Sequence, residues 1–169
     1  VSEKADIFEY IDANNNSYID RIKWIVPHLS NQTYDLIIKI TAAQHLDSGR
    51  NFIEDIYPQV RELDGNWSTP IYTNEYVRVT FEEPLSAVHD ITFYVRNNIS
   101  LTDNQTNISV EVYYFNSSTL ITTFEQIIEE KYYKIYLTGL NASYDTFDLR
   151  VIDFNNVNAS AYLEFDYIV

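Results

Sequence analysis

Apolar and polar residues alternate with a period of two along most of the chain, the pattern of strands that bury one face. In Tyr76–Glu82, Val77, Val79 and Phe81 fall on one phase, and Tyr76, Arg78, Thr80 and Glu82 on the other. Ile91, Phe93 and Val95 alternate in the same way with Thr92, Tyr94 and Arg96. Further inner rows are Ile108, Val110 and Val112; Tyr133, Ile135 and Leu137; Phe147, Leu149 and Val151; and Leu163, Phe165 and Tyr167. Upstream, Tyr34, Leu36, Ile38 and Ile40 form another, and Ile22, Trp24 and Val26 a shorter one. Eight such segments at close, regular spacing predict an all-β fold. The expected form is a two-sheet antiparallel β-sandwich of jelly-roll or immunoglobulin-like type.

Two stretches depart from the alternation. Between Asp47 and Leu63 the apolar residues Phe52, Ile53, Ile56, Tyr57, Val60 and Leu63 recur at helical spacing. They predict a short helical insertion, limited by Pro58. Residues 1–30 read as an N-terminal arm and first strand, with residues 31–169 as the sandwich domain. Within the arm, Ile7, Phe8, Tyr10 and Ile11 make an apolar strand, and Ala13–Ser17 a turn or tether. That strand either pairs within its own sandwich or acts as a donor strand on a neighbouring molecule. The chain opens at Val1 without a charged segment and apolar core, so a signal peptide is expected to have been removed or to lie upstream.

Charge narrows the partners. Eleven Lys and Arg against 25 Asp and Glu give a net charge of −14, with no basic cluster to meet a phosphate backbone. Nucleic acid is therefore not an expected partner. No apolar run reaches the ~20 residues of a membrane-spanning helix. Without cysteine, thiol nucleophiles, disulfides and zinc–thiolate sites are excluded.

Asparagine carries the most specific signal. Nine Asn-X-Ser/Thr sequons begin at Asn15, Asn31, Asn66, Asn98, Asn104, Asn107, Asn116, Asn141 and Asn158, none with Pro in the middle. With 16 Asn and 25 Ser and Thr in 169 residues, random placement would give roughly 2.4. Turn formation accounts for Asn in a chain with three Gly, yet it does not account for the hydroxyl two residues on. These Asn lie in polar breaks between strands, as glycan acceptors must. They are read as N-glycosylation sites, which places the protein outside the cell or on its surface. Covalent glycans are expected, and no other cofactor.

Five tyrosines, Tyr76, Tyr94, Tyr113, Tyr132 and Tyr136, fall on the outward phase. Such rings either stack on sugars or make cross-strand pairs. Catalytic patterns are missing. His28, His45 and His89 lack partners at metal-ligand spacing and read as surface or edge residues. The acidic pairs Glu54-Asp55, Glu82-Glu83 and Glu129-Glu130, like Asp145 and Asp148, lack the alternating oxygen-rich loop that calcium requires. The expectation is a protein that is not an enzyme and has no metal site.

Several strings resemble a β-sandwich module of archaeal cell-surface proteins: Glu62–Trp67, Tyr76–Glu82, Asp90–Thr92, Tyr133–Leu137, Asp145–Leu149 and Glu164–Val169. The resemblance covers roughly residues 34–169 and carries no active site. Relatives of that kind sit in longer multidomain proteins, whereas here one module follows an arm. That layout resembles archaeal surface fibres built by donor-strand complementation and, with the sequons, implies a structural subunit of an N-glycosylated surface filament that polymerises with copies of itself by donor-strand exchange. The alternative is a carbohydrate-binding or adhesion module, motivated by the outward Tyr and Trp67.

Overall fold

The computed structural model describes residues 7–17, 19–26, 37–98, 108–124, 126–155 and 160–169. The chain divides into two compact units, Val1–Leu36 and Ile37–Val169. The boundary lies after the residue 30 expected from sequence.

In the first unit, β1 (Ile7–Ile11) pairs antiparallel with β2 (Arg21–Trp24), with Tyr10 opposite Ile22 and Ile11 opposite Arg21. These two strands make a sheet of their own. Residues 13–17 are thus a hairpin connection rather than an open tether. The Asp12 carboxylate accepts backbone N–H bonds from Asn14, Asn16 and Ser17, and Asp20 accepts that of Ala13. Asn15 and Ser17 take up left-handed φ of 57° and 68°. Short polar residues tolerate that conformation where a turn must close without glycine.

The second unit is the expected sandwich. Its strands are β3 (Ile40–Leu46), β4 (Phe52–Asp55), β5 (Ile71–Tyr72), β6 (Tyr76–Leu85), β7 (Asp90–Asn97), β8 (Ile108–Tyr114), β9 (Leu120–Phe124), β10 (Lys131–Tyr136), β11 (Tyr144–Asp153) and β12 (Tyr162–Ile168). One helical turn, α1, spans Tyr57–Val60. A six-stranded sheet in the order β4-β3-β6-β11-β8-β9 packs against a four-stranded sheet in the order β10-β7-β12-β5. Every pairing is antiparallel.

The inner rows read from the sequence downstream of Ile38 are the core, whereas Trp24 and Val26 of the row read at Ile22 are exposed. Val77, Val79, Phe81, Ile91, Phe93, Val95, Ile108, Val110, Val112, Phe147, Leu149 and Val151 are buried in one cluster with Tyr133, Ile135 and Leu137. At its centre Phe93 meets Phe124, Tyr133 and Phe165 at centroid distances of 6.3, 6.2 and 5.8 Å.

Four expectations are corrected. The helical insertion shrinks to α1, because Phe52–Asp55 forms the edge strand β4, with Phe52 and Ile53 exposed. Only Ile56 and Val60 of that apolar set are buried. Tyr167 is not an inner residue: a bulge between Phe165 and Tyr167 sets it opposite Tyr94, and Ile168 takes the core position. The first strand of the sandwich runs over Ile40–Leu46, downstream of the row read from Tyr34 to Ile40. Tyr34 and Leu36 lie outside the described residues, while Ile38 packs against the core. His45 is buried rather than on the surface: Nδ1 lies 3.3 Å from Glu54 and Nε2 2.9 Å from Glu75. His89 does cap a turn, its Nδ1 accepting the Ser86 N–H, and His28 lies outside the described residues.

Candidate functional site

The two sheets turn very different faces outward. On the six-stranded sheet, Arg78 stands opposite Asp148, and Asp148 opposite Tyr113 on β8; two residues along, Tyr76, Arg150 and Glu111 form a second row. Asp148 is fully buried, with Arg78 Nε at 2.7 Å and Arg50 Nε at 2.9 Å. The backbone N–H of Asn116 also donates to it, at 3.1 Å. Arg50 reaches this carboxylate from the β3–β4 turn with a left-handed φ of 62°. Asp47 holds the turn by accepting the N–H groups of Gly49 and Asn51. Its carboxyl sits below the ordinary value chiefly because the Asn51 side chain donates to it. The Arg50 guanidinium lies 4.4 Å from the Tyr76 ring centroid and donates to the Ser117 carbonyl at 2.6 Å. Tyr76 and Tyr113, expected to face solvent, are consequently covered, with exposures of 7% and 9%. Asp148 is committed to two guanidinium groups. The face is a closed structural lattice.

The four-stranded sheet presents an open one. Tyr132 on β10, Tyr94 on β7 and Tyr167 on β12 stand in a cross-strand row. The Tyr94 and Tyr132 rings meet edge to face at 4.9 Å. Trp67, from the segment before β5, lies 5.7 Å from Tyr94, and the Arg96 guanidinium sits 4.2 Å from the Trp67 ring centroid. Arg96 is anchored by Glu164 at 2.7 Å, and Tyr94 Oη donates to Glu130 at 3.0 Å. That bond, ahead of burial, pushes the Tyr94 phenol up; for Tyr167 desolvation is the leading cause. Tyr132 is 50% exposed, and Tyr136, four residues along β10, is exposed as well. Ring faces fixed by neighbours and edged with carboxylates and a guanidinium make an open amphipathic platform.

The sequence singled out Trp67, Tyr94, Tyr132 and Tyr136, and the fold gathers them on one sheet. It missed Tyr167, whose phase the bulge reverses, and Arg96 with Glu164, which are paired only by the β7–β12 register.

Of the sequons, Asn15, Asn66, Asn98, Asn116 and Asn141 are described, and all five are exposed; Asn31, Asn104, Asn107 and Asn158 lie outside the described residues. Asn141 borders a shallow depression of about 210 Å³ shared with Ser86, Ala87 and Val88. Of the arm residues expected at a polymer contact, Tyr10 is exposed and Ile11 half-buried. Ile7 and Phe8 belong to β1, but their side chains are outside the described set. Among the described residues no group of three or more His, Asp or Glu could hold a metal ion, and no helix is long and apolar enough to cross a membrane. Comparison with protein-family models, curated proteins and solved structures finds no match to this chain.

Proposed function

We propose that the protein is a structural subunit of an extracellular, N-glycosylated surface fibre, with copies joined through the N-terminal unit. One observation carries this reading. Residues Val1–Leu36 form a compact unit of their own, and among the described residues its two strands make a sheet of just two. Tyr10, Ile19, Ile25 and Val26 are all exposed, Ile25 at 71%. An isolated two-stranded hairpin is marginal in water, and apolar surface of this kind favours a partner.

The β4 edge of the sandwich offers a complementary surface, with Phe52 and Ile53 exposed on a four-residue strand. Because β1 already has one partner, the exchange is the addition of a hairpin edge and not the insertion of a lone donor strand. A hairpin of one copy on the sandwich of the next is a heterologous contact, which propagates without closing. The nine sequons and the resemblance to archaeal surface modules support the extracellular and filament parts of the reading.

Removal of residues 1–36 is the test. Full-length protein should form polymers by light scattering and negative-stain microscopy, and the truncated chain should be a folded monomer. Polymers that persist without the hairpin, or a full-length chain that stays monomeric at high concentration, would defeat the reading. The row of rings favours a second reading, a carbohydrate-binding or adhesion module. Saturable binding to a glycan panel, lost in Trp67→Ala, would support it.

A further inference from the structure

The aromatic face has a sugar-attachment signal at its rim. Asn66-Trp67-Ser68 is a sequon, and its three side chains point to three different environments. Asn66 is exposed in a turn fixed from both sides. Its N–H donates to Asp64 at 2.9 Å, and the preceding Gly65, at φ 81°, donates its N–H to both oxygens of the buried Asp166 at 3.0 and 3.1 Å. Trp67 lies on the face, between Arg96 and Tyr94. Ser68 is buried: its N–H donates to the Phe165 carbonyl at 2.8 Å, its Oγ accepts the Phe165 N–H at 3.0 Å, and its hydroxyl donates to the Thr69 carbonyl at 2.9 Å.

We propose that Asn66 carries an N-linked glycan whose first sugars lie over Trp67 and Tyr94, so that the aromatic face cradles the protein's own carbohydrate. The inference rests on the glycosylation reading above. A sugar on Asn66 begins one residue from Trp67, on a turn whose backbone is held by the Gly65–Asp166 and Asn66–Asp64 bonds. Pyranose rings have one face of C–H groups, which packs on an aromatic ring, while their hydroxyls find Glu164, Glu130 and Arg96 at the edge. In the transfer, Asn66 Nδ2 bonds to the anomeric carbon of a lipid-pyrophosphate-linked oligosaccharide. The carbon–oxygen bond to pyrophosphate breaks with its electron pair leaving on phosphate, and the amide gives up one proton to a base of the transferase. Because a transferase must read the +2 hydroxyl, and Ser68 is locked against β12, transfer at Asn66 precedes closure of that strand.

The test uses full-length chain made in a secretory host that glycosylates during synthesis. Trp24→Phe leaves Trp67 as the single tryptophan, since the chain has two. Glycopeptide mass spectrometry reads occupancy at Asn66, and acrylamide quenching reads access to Trp67. The glycosylated protein should show less quenching and a blue-shifted emission than either Asn66→Gln or the endoglycosidase-trimmed form. The increase in melting temperature that the Asn66 glycan confers should vanish in Trp67→Ala. A glycan on Asn66 with unchanged Trp67 quenching overturns the proposal, as does protection of Trp67 by free oligosaccharide in the glycosylated protein. Occupancy at other sequons but not at Asn66 also overturns it, leaving the glycoprotein reading intact. A bare chain at all nine sequons defeats both.

Discussion

The two outer faces of the sandwich hold similar residue types to different ends. Each has tyrosines on the outward phase of its strands, with arginines and carboxylates beside them. On the six-stranded sheet the arginines lie across the rings and end on a buried aspartate, so Tyr76 and Tyr113 are closed off and the charges are spent on one another. On the four-stranded sheet Arg96 covers only Trp67, its carboxylate partner is at the rim, and Tyr132 keeps half its surface in water. What separates structure from candidate function is therefore not composition but whether a distant segment arrives to cover the rings. Arg50 does so for one sheet, and among the described residues nothing comparable covers Tyr132 or Tyr136.

The largest effect expected from this contrast is at Asp148. Replacing it with Ala takes the carboxylate away from the Arg50 and Arg78 guanidinium groups and the Asn116 N–H, and removal of one partner from a buried ion pair costs about 3–5 kcal/mol. Arg50 and Arg78 keep 21% and 15% of their side-chain surface in water, so the lower end of that range is expected here. Asp148→Asn should be nearly as damaging, because its amide turns donors toward donors. Chemical denaturation measures both; a loss below about 1 kcal/mol would place Asp148 in the median range of surface ion pairs and end the distinction between the faces.

Next in size is a matched pair of truncations. Tyr113→Ala removes a covered ring that meets Tyr76 at 6.4 Å and donates to Glu111, and should cost somewhat less than the ~3–5 kcal/mol of a fully buried core aromatic. Tyr132→Ala removes an exposed ring with one edge-to-face neighbour and should cost roughly 0.2–1 kcal/mol. Equal losses in urea titrations would mean that both faces are structural.

A finer test concerns the turn that closes the lattice. Arg50→Ala loses the Asp148 contact and keeps the left-handed φ, whereas Arg50→Gly loses the same contact and relieves the strain. Gly should therefore be more stable than Ala here by about 1 kcal/mol, the reverse of the usual order. If Ala proves the better replacement, the turn is not holding Arg50 in a conformation that its contacts sustain.

The core was legible because period-two alternation is a local property: Val77, Val79 and Phe81 could be placed from seven residues, and they are buried as read. The failures share a physical cause. Tyr76 and Tyr113 are on the outward phase, but what covers them comes from a turn remote in sequence, and no local pattern encodes that. Phe52 and Ile53 looked helical with Ile56 and Tyr57 because an exposed edge strand running into a single turn imitates helical spacing. The bulge at Asp166 reversed the phase of Tyr167 without any Gly or Pro to mark it. The aromatic site was half readable: its rings were flagged one by one, while their meeting depends on the β10-β7-β12 order.

The smallest effect appears at alkaline pH and separates the faces by mechanism. Tyr113 on the closed face and Tyr94 on the open one both hold their protons beyond the ordinary tyrosine range, for different leading reasons. Burial comes first for Tyr113, with the Glu111 bond adding to it and Arg150 working against it. For Tyr94 the bond to Glu130 comes first. The sign follows from proton counting. The folded state keeps a phenol proton that the unfolded chain gives up near pH ~10, so this contribution is complete below the unfolded pKa and is lost as pH rises through the folded one. Tyrosine labelled with carbon-13 at the ring carbon bearing oxygen, assigned through Tyr94→Phe and Tyr113→Phe, follows each group by NMR. Glu130→Gln should return Tyr94 most of the way to ordinary behaviour, because its phenol then has no anion to hold a proton against. Glu111→Gln should leave most of the Tyr113 shift in place, because the covering Arg50 and Tyr76 still exclude water from it. Equal relaxation of both phenols would mean that Tyr113 is held by its hydrogen bond alone, and the lattice over the six-stranded sheet would not be closed to solvent.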